Sequence, residues 1–219
     1  MFETRWRVST ASCIDRLGRP FSDSHHLVVA SKREREHGLD SAADYLYEFY
    51  TTEQRWQAAA EAVLTRTVVL PSADGVNQRG SFILPWEPVA RHSHKTPLYG
   101  PISLQEAWSE AKRLRTIREE IVKAGGLVRK PYRTALRGYP LPSAPQLQIV
   151  IKGGQHRVAI ARAMGIQLVT VRLDRRFRRV GRRSLERWPC VASGLVGERH
   201  AAEIHAVFTD GVVAEEEGY

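Results

Sequence analysis

Residues 147–173 read LQIVIKGGQHRVAIARAMGIQLVTVRL, and this stretch decides the fold. An apolar run over Ile149–Ile151 halts at Lys152, and Gly153 and Gly154 follow, then the polar triplet Gln155, His156 and Arg157. From there the apolar spacing is helical as far as Met164, Gly165 stops it, and a second apolar run covers Ile166–Val171. The order is strand, glycine turn, helix, strand. The free N–H groups and positive dipole end of a helix start attract anions, and glycines let the backbone approach them closely. Arg157 adds a planar fork of donors, His156 a group that donates or accepts, and Lys152 a point charge. The residues predict an anion-binding corner. They also fit a plain chain reversal whose charges face water.

The segment IVIKGGQHRVAIARAMGIQLVTV resembles the signature of the ParB/sulfiredoxin superfamily, in which a strand leads into a short G-x-H-R or G-E-R-R turn. The matching residues are Gly153, Gly154, Gln155, His156 and Arg157, with Ala159, Ala161 and Ala163 along the helix and Gly165 closing it. The resemblance implies that this turn and its helix hold the phosphates of ATP or another nucleoside triphosphate. Lys152, Gly153, Gly154, Gln155, His156 and Arg157 are then the expected phosphate contacts. Two departures limit the inference. Gln155 stands where sulfiredoxins carry their nucleophilic cysteine, and Gly153 stands where the free-serine kinases of this fold carry an acidic residue. Phosphate binding tolerates both changes; the chemistry of either relative does not.

Composition sets outer limits. The chain has 219 residues and a net charge of +9, enough length for one large domain or a domain with an extension. No apolar run approaches a membrane span and no leader pattern opens the sequence, so a soluble cytoplasmic protein is expected. Cys13 and Cys190 are isolated and read as inert packing residues. Charge is unevenly spread: residues 1–95 hold 12 Lys+Arg and 12 Asp+Glu, so the excess lies in 96–219. Seven arginines fall within 172–183, RLDRRFRRVGRR. Arg172–Arg183 is thus a candidate nucleic-acid contact, or else a solvated basic edge. Phe177 alone interleaves as an aromatic, which leaves little for base stacking.

The chain divides near residue 95. Residues 1–95 are read as a partly helical extension: a short strand or two and a polar loop to about Gly38, then two helices over 41–64. Thr51 and Gln54 are placed as a capping box starting the second helix. TVVLPSADGVNQRGSFILPWEP, broken by glycine and proline, reads as loop or hairpin. His92 and His94 lie in a polar linker and lack an evident third metal ligand.

Residues 96–219 are expected to form the ParB/sulfiredoxin-like domain, giving an α+β chain with a small mixed sheet. Ser103 and Glu106 predict a capping box, and Gly125-Gly126 a helix stop. Between them, Leu104, Ala107, Trp108, Ala111, Leu114, Ile117, Ile121 and Val122 share one face, with Glu110 and Arg118 inside it. Charges on a core-facing stripe need partners, at a functional site or at the wet edge of a wide stripe. In ParB-like domains a helix ahead of the G-x-H-R turn packs beside the nucleotide. The resemblance therefore implies Glu110 as a metal-holding or proton-accepting carboxylate and Arg113 as a phosphate contact. Glu110 and His156 are the expected catalytic residues, with Mg²⁺ bridging the nucleotide phosphates.

Trp188, Pro189 and Gly194, followed by a helix over about 198–208, are similar to a ParB-like group often found with bacterial polysaccharide biosynthesis. His200 and His205 on that helix are off the spacing of paired ligands and read as ordinary histidines. Two function classes stay open. One is an ATP-dependent phosphotransferase or ATPase acting on a small-molecule acceptor. The other is a non-enzymatic nucleotide-binding or DNA-associated protein. The stretch after Leu173 reads as an Arg-rich loop and one helix, without the helix-turn-helix reader of chromosome-partition ParB. No carboxylate cluster suggests a nuclease.

Overall fold

The computed structural model describes residues 5–51, 68–70, 81–87, 102–125, 136–141, 147–174 and 182–209. The helix expected after Thr51, the His92/His94 pair, the arginines between 175 and 181 and the acidic residues 215–217 lie outside them.

The chain is an α+β protein. Strands β1 (Arg5–Ser9), β2 (Cys13–Ile14), β5 (Leu136–Leu141), β6 (Gln148–Gly153) and β7 (Leu168–Leu173) form one mixed sheet in the order β1-β7-β5-β6-β2. Pairing is antiparallel for β1/β7 and β5/β6, and parallel for β5/β7 and β6/β2. A separate antiparallel hairpin joins β3 (Val68–Leu70) to β4 (Ser81–Ile83), the hairpin alternative of the sequence reading. Helices are α1 (His26–Thr51), α2 (Leu104–Lys123), α3 (Gln155–Ala163), α4 (Pro189–Ala192) and α5 (Glu198–Thr209). Among the described residues no helix is long and apolar enough to cross a membrane.

The sheet does not respect a division at residue 95. Residues 5–14 supply both of its outer strands, so the N-terminal segment completes the sheet rather than extending from it. Its polar loop is also corrected: α1 begins at His26, Gly38 (φ +90°) breaks it into two helical halves, and the second half, ending at Thr51, falls where the first expected helix was placed. Charged residues disguise this helix, yet Leu27, Ala30, Ser31 and Glu34 recur at helical spacing and are buried. Thr51 is the last described residue of this stretch, and its expected capping partner Gln54 lies outside the described residues. The Thr51 hydroxyl donates back to the Tyr47 carbonyl at 2.6 Å, closing the end of α1.

Strand alternation divides the interior in two. Ile149, Ile151, Leu136, Val169, Val171 and Val8 face α1, α2 and α3. Val150, Tyr139, Leu141 and Ile14 face the opposite way, onto Trp86, Trp188, Cys190, Ile204 and Phe208. On that second side the Trp86 indole donates to the Tyr139 hydroxyl at 2.7 Å, and His205 packs edge-on to Trp86. His205 is therefore a packing residue. Both thiols are buried, and burial pushes Cys13 up to about 12 and Cys190 up to about 11.

The capping box of α2 forms as expected, and Gly125 (φ +65°) follows its end. Its apolar stripe is narrower than its periodicity suggests, because Leu104 and Val122 at the two ends are exposed. Arg118 finds its partner across the helix pair. Glu34 of α1, almost wholly buried, accepts from Arg115 Nε at 2.7 Å and Arg118 Nε at 2.8 Å. Burial works against this carboxylate, and the two arginines outweigh it and hold its pKa below the ordinary value.

Candidate functional site

The site is built where β6 ends. Gly154 sits in the left-handed region (φ +90°, ψ 25°) and is the N-cap of α3. A Cβ there would lie 2.5 Å from Leu136 Cδ2, so backbone conformation and packing both require glycine. The N–H groups of Arg157 and Val158 donate to the Gly154 carbonyl at 2.9 and 3.2 Å. Gly154 has no side chain with which to cap the helix, and the first two N–H groups, of Gln155 and His156, have no intrahelical partner.

The two expected catalytic residues meet. His156 Nε2 lies 2.5 Å from Glu110 Oε2, joining the head of α3 to the middle of α2. Arg113, one turn on from Glu110, stands 3.6 Å from its other oxygen. Burial raises the Glu110 carboxyl, but the His156 hydrogen bond and charge, with Arg113 adding, override it and lower the pKa from the ordinary value. Glu110 is thus an ionised carboxylate with both oxygens engaged, and it holds the proton of His156 on Nε2.

The other expected phosphate contacts are not gathered at this point. The Gln155 amide folds back to donate to the Ile151 carbonyl at 3.3 Å. Lys152 shares the face of Val150, on the far side of the sheet from α2. There its Nζ is 3.9 Å from Oε1 of the fully buried Glu87, whose other oxygen is bound by Arg16. Arg157 Nη2 is 3.9 Å from Glu120, further along α2 than the Glu110 pair. The structure therefore unites Glu110, His156 and Arg113, while Lys152, Gln155 and Arg157 each turn elsewhere.

A second group beside this pair escaped the sequence reading. The Asp15 carboxylate caps a turn, accepting from the N–H groups of Leu17 (2.8 Å) and Arg19 (3.0 Å) and from Arg19 Nε (2.8 Å). His25 Nδ1 accepts from the Leu27 N–H at 3.3 Å, which leaves its Nε2 proton facing Asp15 at 3.4 Å. His26 stacks on His25 and on Phe49, and its Nε2 lies 2.9 Å from the Tyr50 hydroxyl. Burial lowers the pKa of both histidines; Asp15 partly offsets the fall at His25, His25 deepens it at His26, and the charges of Arg19 and then His156 deepen it at both. Burial raises the Tyr50 pKa, and Glu110 adds to that rise. The two groups thus share one electrostatic neighbourhood. The sequence signals were the Asp15–Gly18 turn pattern and the paired histidines of FSDSHHL.

Among the described residues no three His, Cys, Asp or Glu side chains are grouped to hold a metal ion. Comparison with protein-family models, with curated proteins and with solved structures returned no match for this chain.

Proposed function

We propose that the Gly153–Gly154 turn and the head of α3 bind the phosphates of a nucleoside triphosphate, and that Glu110 and His156 serve phosphoryl transfer to a small acceptor or to water. This is the reading that the ParB/sulfiredoxin resemblance implies. The observation that carries it is the 2.5 Å Glu110–His156 pair standing beside an uncapped helix start. A carboxylate that fixes one ring nitrogen leaves Nδ1 as the atom that exchanges a proton, as in other carboxylate–imidazole bases. The acceptor O–H proton passes to Nδ1 of His156. Its oxygen bonds the γ-phosphorus, and the bond to the β–γ bridging oxygen breaks to release the nucleoside diphosphate. Positioning and charge neutralisation supply most of the acceleration in such reactions, so few protein groups suffice.

Glu110 places one oxygen against His156, and Arg113 stands 3.6 Å from the other, so its part in this reading is to orient and charge-stabilise the imidazole. A Mg²⁺ ion carried on the phosphates would screen their charge. The test is calorimetric titration of ATP, CTP and GTP, with and without Mg²⁺, into wild type, Arg157→Ala and Glu110→Gln. The expected result is micromolar binding of one nucleotide, weakened in Arg157→Ala and preserved in Glu110→Gln, whose turnover is lost. Absence of binding by all three nucleotides overturns the reading.

A further inference from the structure

Helix α1 closes back on itself. His26 and Tyr50 are 24 residues apart, which a straight helix would stretch to about 36 Å, yet His26 Nε2 lies 2.9 Å from the Tyr50 hydroxyl. Arg33 and Tyr45 meet in the same way, the guanidinium lying 4.9 Å from the ring centroid. One residue makes the reversal. Gly38 (φ +90°, ψ −176°) occupies backbone space that glycine alone enters readily, and a Cβ added there would meet no atom within 4 Å. The bend is thus a conformational hinge rather than a packed corner. Beyond it, residues 39–51 form an arm whose buried residues are Ala42, Ala43 and Leu46, so one large, fully buried side chain anchors it. The far end of the arm rests on His26. Phe49 stacks on the imidazole with centroids 4.5 Å apart, and Tyr50 meets it edge-on.

His26 is suited to hold the arm only while neutral. It is 5% exposed, and among the described residues its Nδ1 has no hydrogen-bond partner. A neutral ring places its single proton on Nε2, toward the Tyr50 oxygen, and leaves Nδ1 bare. A second proton would create a buried N–H without an acceptor and a buried charge without a counter-charge. His25 stacks on the ring, and the charges of His25, Arg19 of the turn after β2 and His156 of α3 all oppose a charge on it. Tyr50, on the arm, is kept neutral by burial. The two carboxylates of this neighbourhood are engaged: Asp15 by Arg19 and two backbone N–H groups, and Glu110 of α2 by His156. We infer that residues 39–51 are an acid-released arm, hinged at Gly38 and closed on His26, that swings open when His26 takes up a proton. Burial holds the His26 pKa well below 6.5 while the arm is closed, and an open arm returns it to the ordinary value. Closure is therefore at full strength above about pH 6.5 and weakens as pH falls below it. Because Tyr50 stands in the field of Glu110, release of the arm also changes the surroundings of the Glu110–His156 pair. The inference does not rest on what that pair binds.

The experiment is native-state hydrogen exchange of the full chain from about pH 7.5 to about pH 5.0, read by mass spectrometry and corrected for intrinsic exchange. Peptides from residues 39–51 should open more readily than those of α2. Their opening constant should rise about tenfold per pH unit below 6.5, to about 30-fold at pH 5.0. His26→Phe keeps a ring in the stack and cannot titrate, so its arm should open equally at both ends of the range. If that variant does not fold, Tyr50→Phe removes the hydrogen bond alone and should raise arm opening about fivefold at neutral pH, with the pH response kept. Gly38→Ala strains the closed bend and should raise arm opening about fivefold or more at every pH. Arm peptides that exchange only together with α2 overturn the proposal. So does an opening constant that is the same at pH 5.0 as at pH 7.5, or a pH response that survives in His26→Phe. No nucleotide is added, so this switch and the triphosphate site can fail independently.

Discussion

Substituting alanine at each of the two adjacent glycines of the turn should give opposite results. At Gly154 the backbone is left-handed (φ +90°), which costs a non-glycine residue about 1–3 kcal/mol. The new methyl would also sit 2.5 Å from Cδ2 of Leu136, a residue 1% exposed, and forced repacking of a filled core costs about 1–3 kcal/mol more. Gly154→Ala should therefore lose about 2–6 kcal/mol. For a chain of this size that is a fall of roughly 4–24 °C in melting temperature. At Gly153 the added methyl meets only Arg137, whose Nε is 3.4 Å away on an exposed, flexible side chain. Its φ is not positive, so Gly153→Ala should stay within about 1 kcal/mol of wild type. Urea unfolding of both variants, followed by far-UV dichroism, measures the difference. Equal losses, or a loss below about 1 kcal/mol at Gly154, would refute the geometry argued for the turn. A stable Gly153→Ala variant then becomes a clean probe of whether a ligand needs close backbone approach at that position.

Glu34→Gln should destabilise by about 2–4 kcal/mol, since it leaves Arg115 and Arg118 facing a buried site without a counter-charge. The folded pKa of Glu34 lies below its ordinary 4.5, so its contribution is present above that pH and fades as pH falls through the folded value. Unfolding measured from pH 6 to pH 3 should show a shallower acid loss in the Gln variant, and an unchanged limb would count against the triad. His26 works in the same sense for a different reason: burial, reinforced by neighbouring cations, holds its folded pKa well below 6.5. Below about pH 6.5 the unfolded chain takes up a proton that the folded chain refuses, so stability falls as pH drops. His26→Phe should remove part of that slope; a slope as steep as wild type would show that His26 is charged in the fold. Cys13 and Cys190, buried and with raised pKa values, should react with a thiol reagent only at the unfolding rate. Labelling of either within minutes under native conditions would contradict their placement.

The strand–turn–helix–strand order around Gly153 was readable because period-two and period-3.6 patterns are local, and glycine marks the breaks between them. The same locality made the α2 capping box legible from Ser103 and Glu106. It also explains why the first half of α1, ahead of Gly38, was missed. Lys32, Arg33, Glu34, Arg35 and Glu36 look like a solvated loop until Glu34 is matched with two arginines some 80 residues later in the chain. Glu110 stood out as a charge inside an apolar stripe, and its partner His156 lay in the glycine motif itself. Lys152 and Arg157 stand apart from the Glu110–His156 pair for the complementary reason. Adjacent positions in a motif need not share a direction, because a strand end sends Lys152 through the sheet while the helix turns Arg157 along α2. Asp15, His25 and His26 carried only weak local signals, and their meaning depends on burial that no short window reveals.

The outermost strands have a consequence for how the chain acquires its fold. β1 and β2 are synthesised first, yet their hydrogen-bonding partners β7 and β6 come far later; Thr10 and Ile166, which meet beside β1, are separated by 156 residues. Closing so long a loop is entropically slow, so the two edges should be the last part of the sheet to dock, after β5, β6 and β7 have assembled around α3. Until then β7 presents an open strand edge, the kind of template on which chains pair with one another. Arginines beside such an edge discourage like chains from meeting there, so they guard an unfinished sheet during its slowest step.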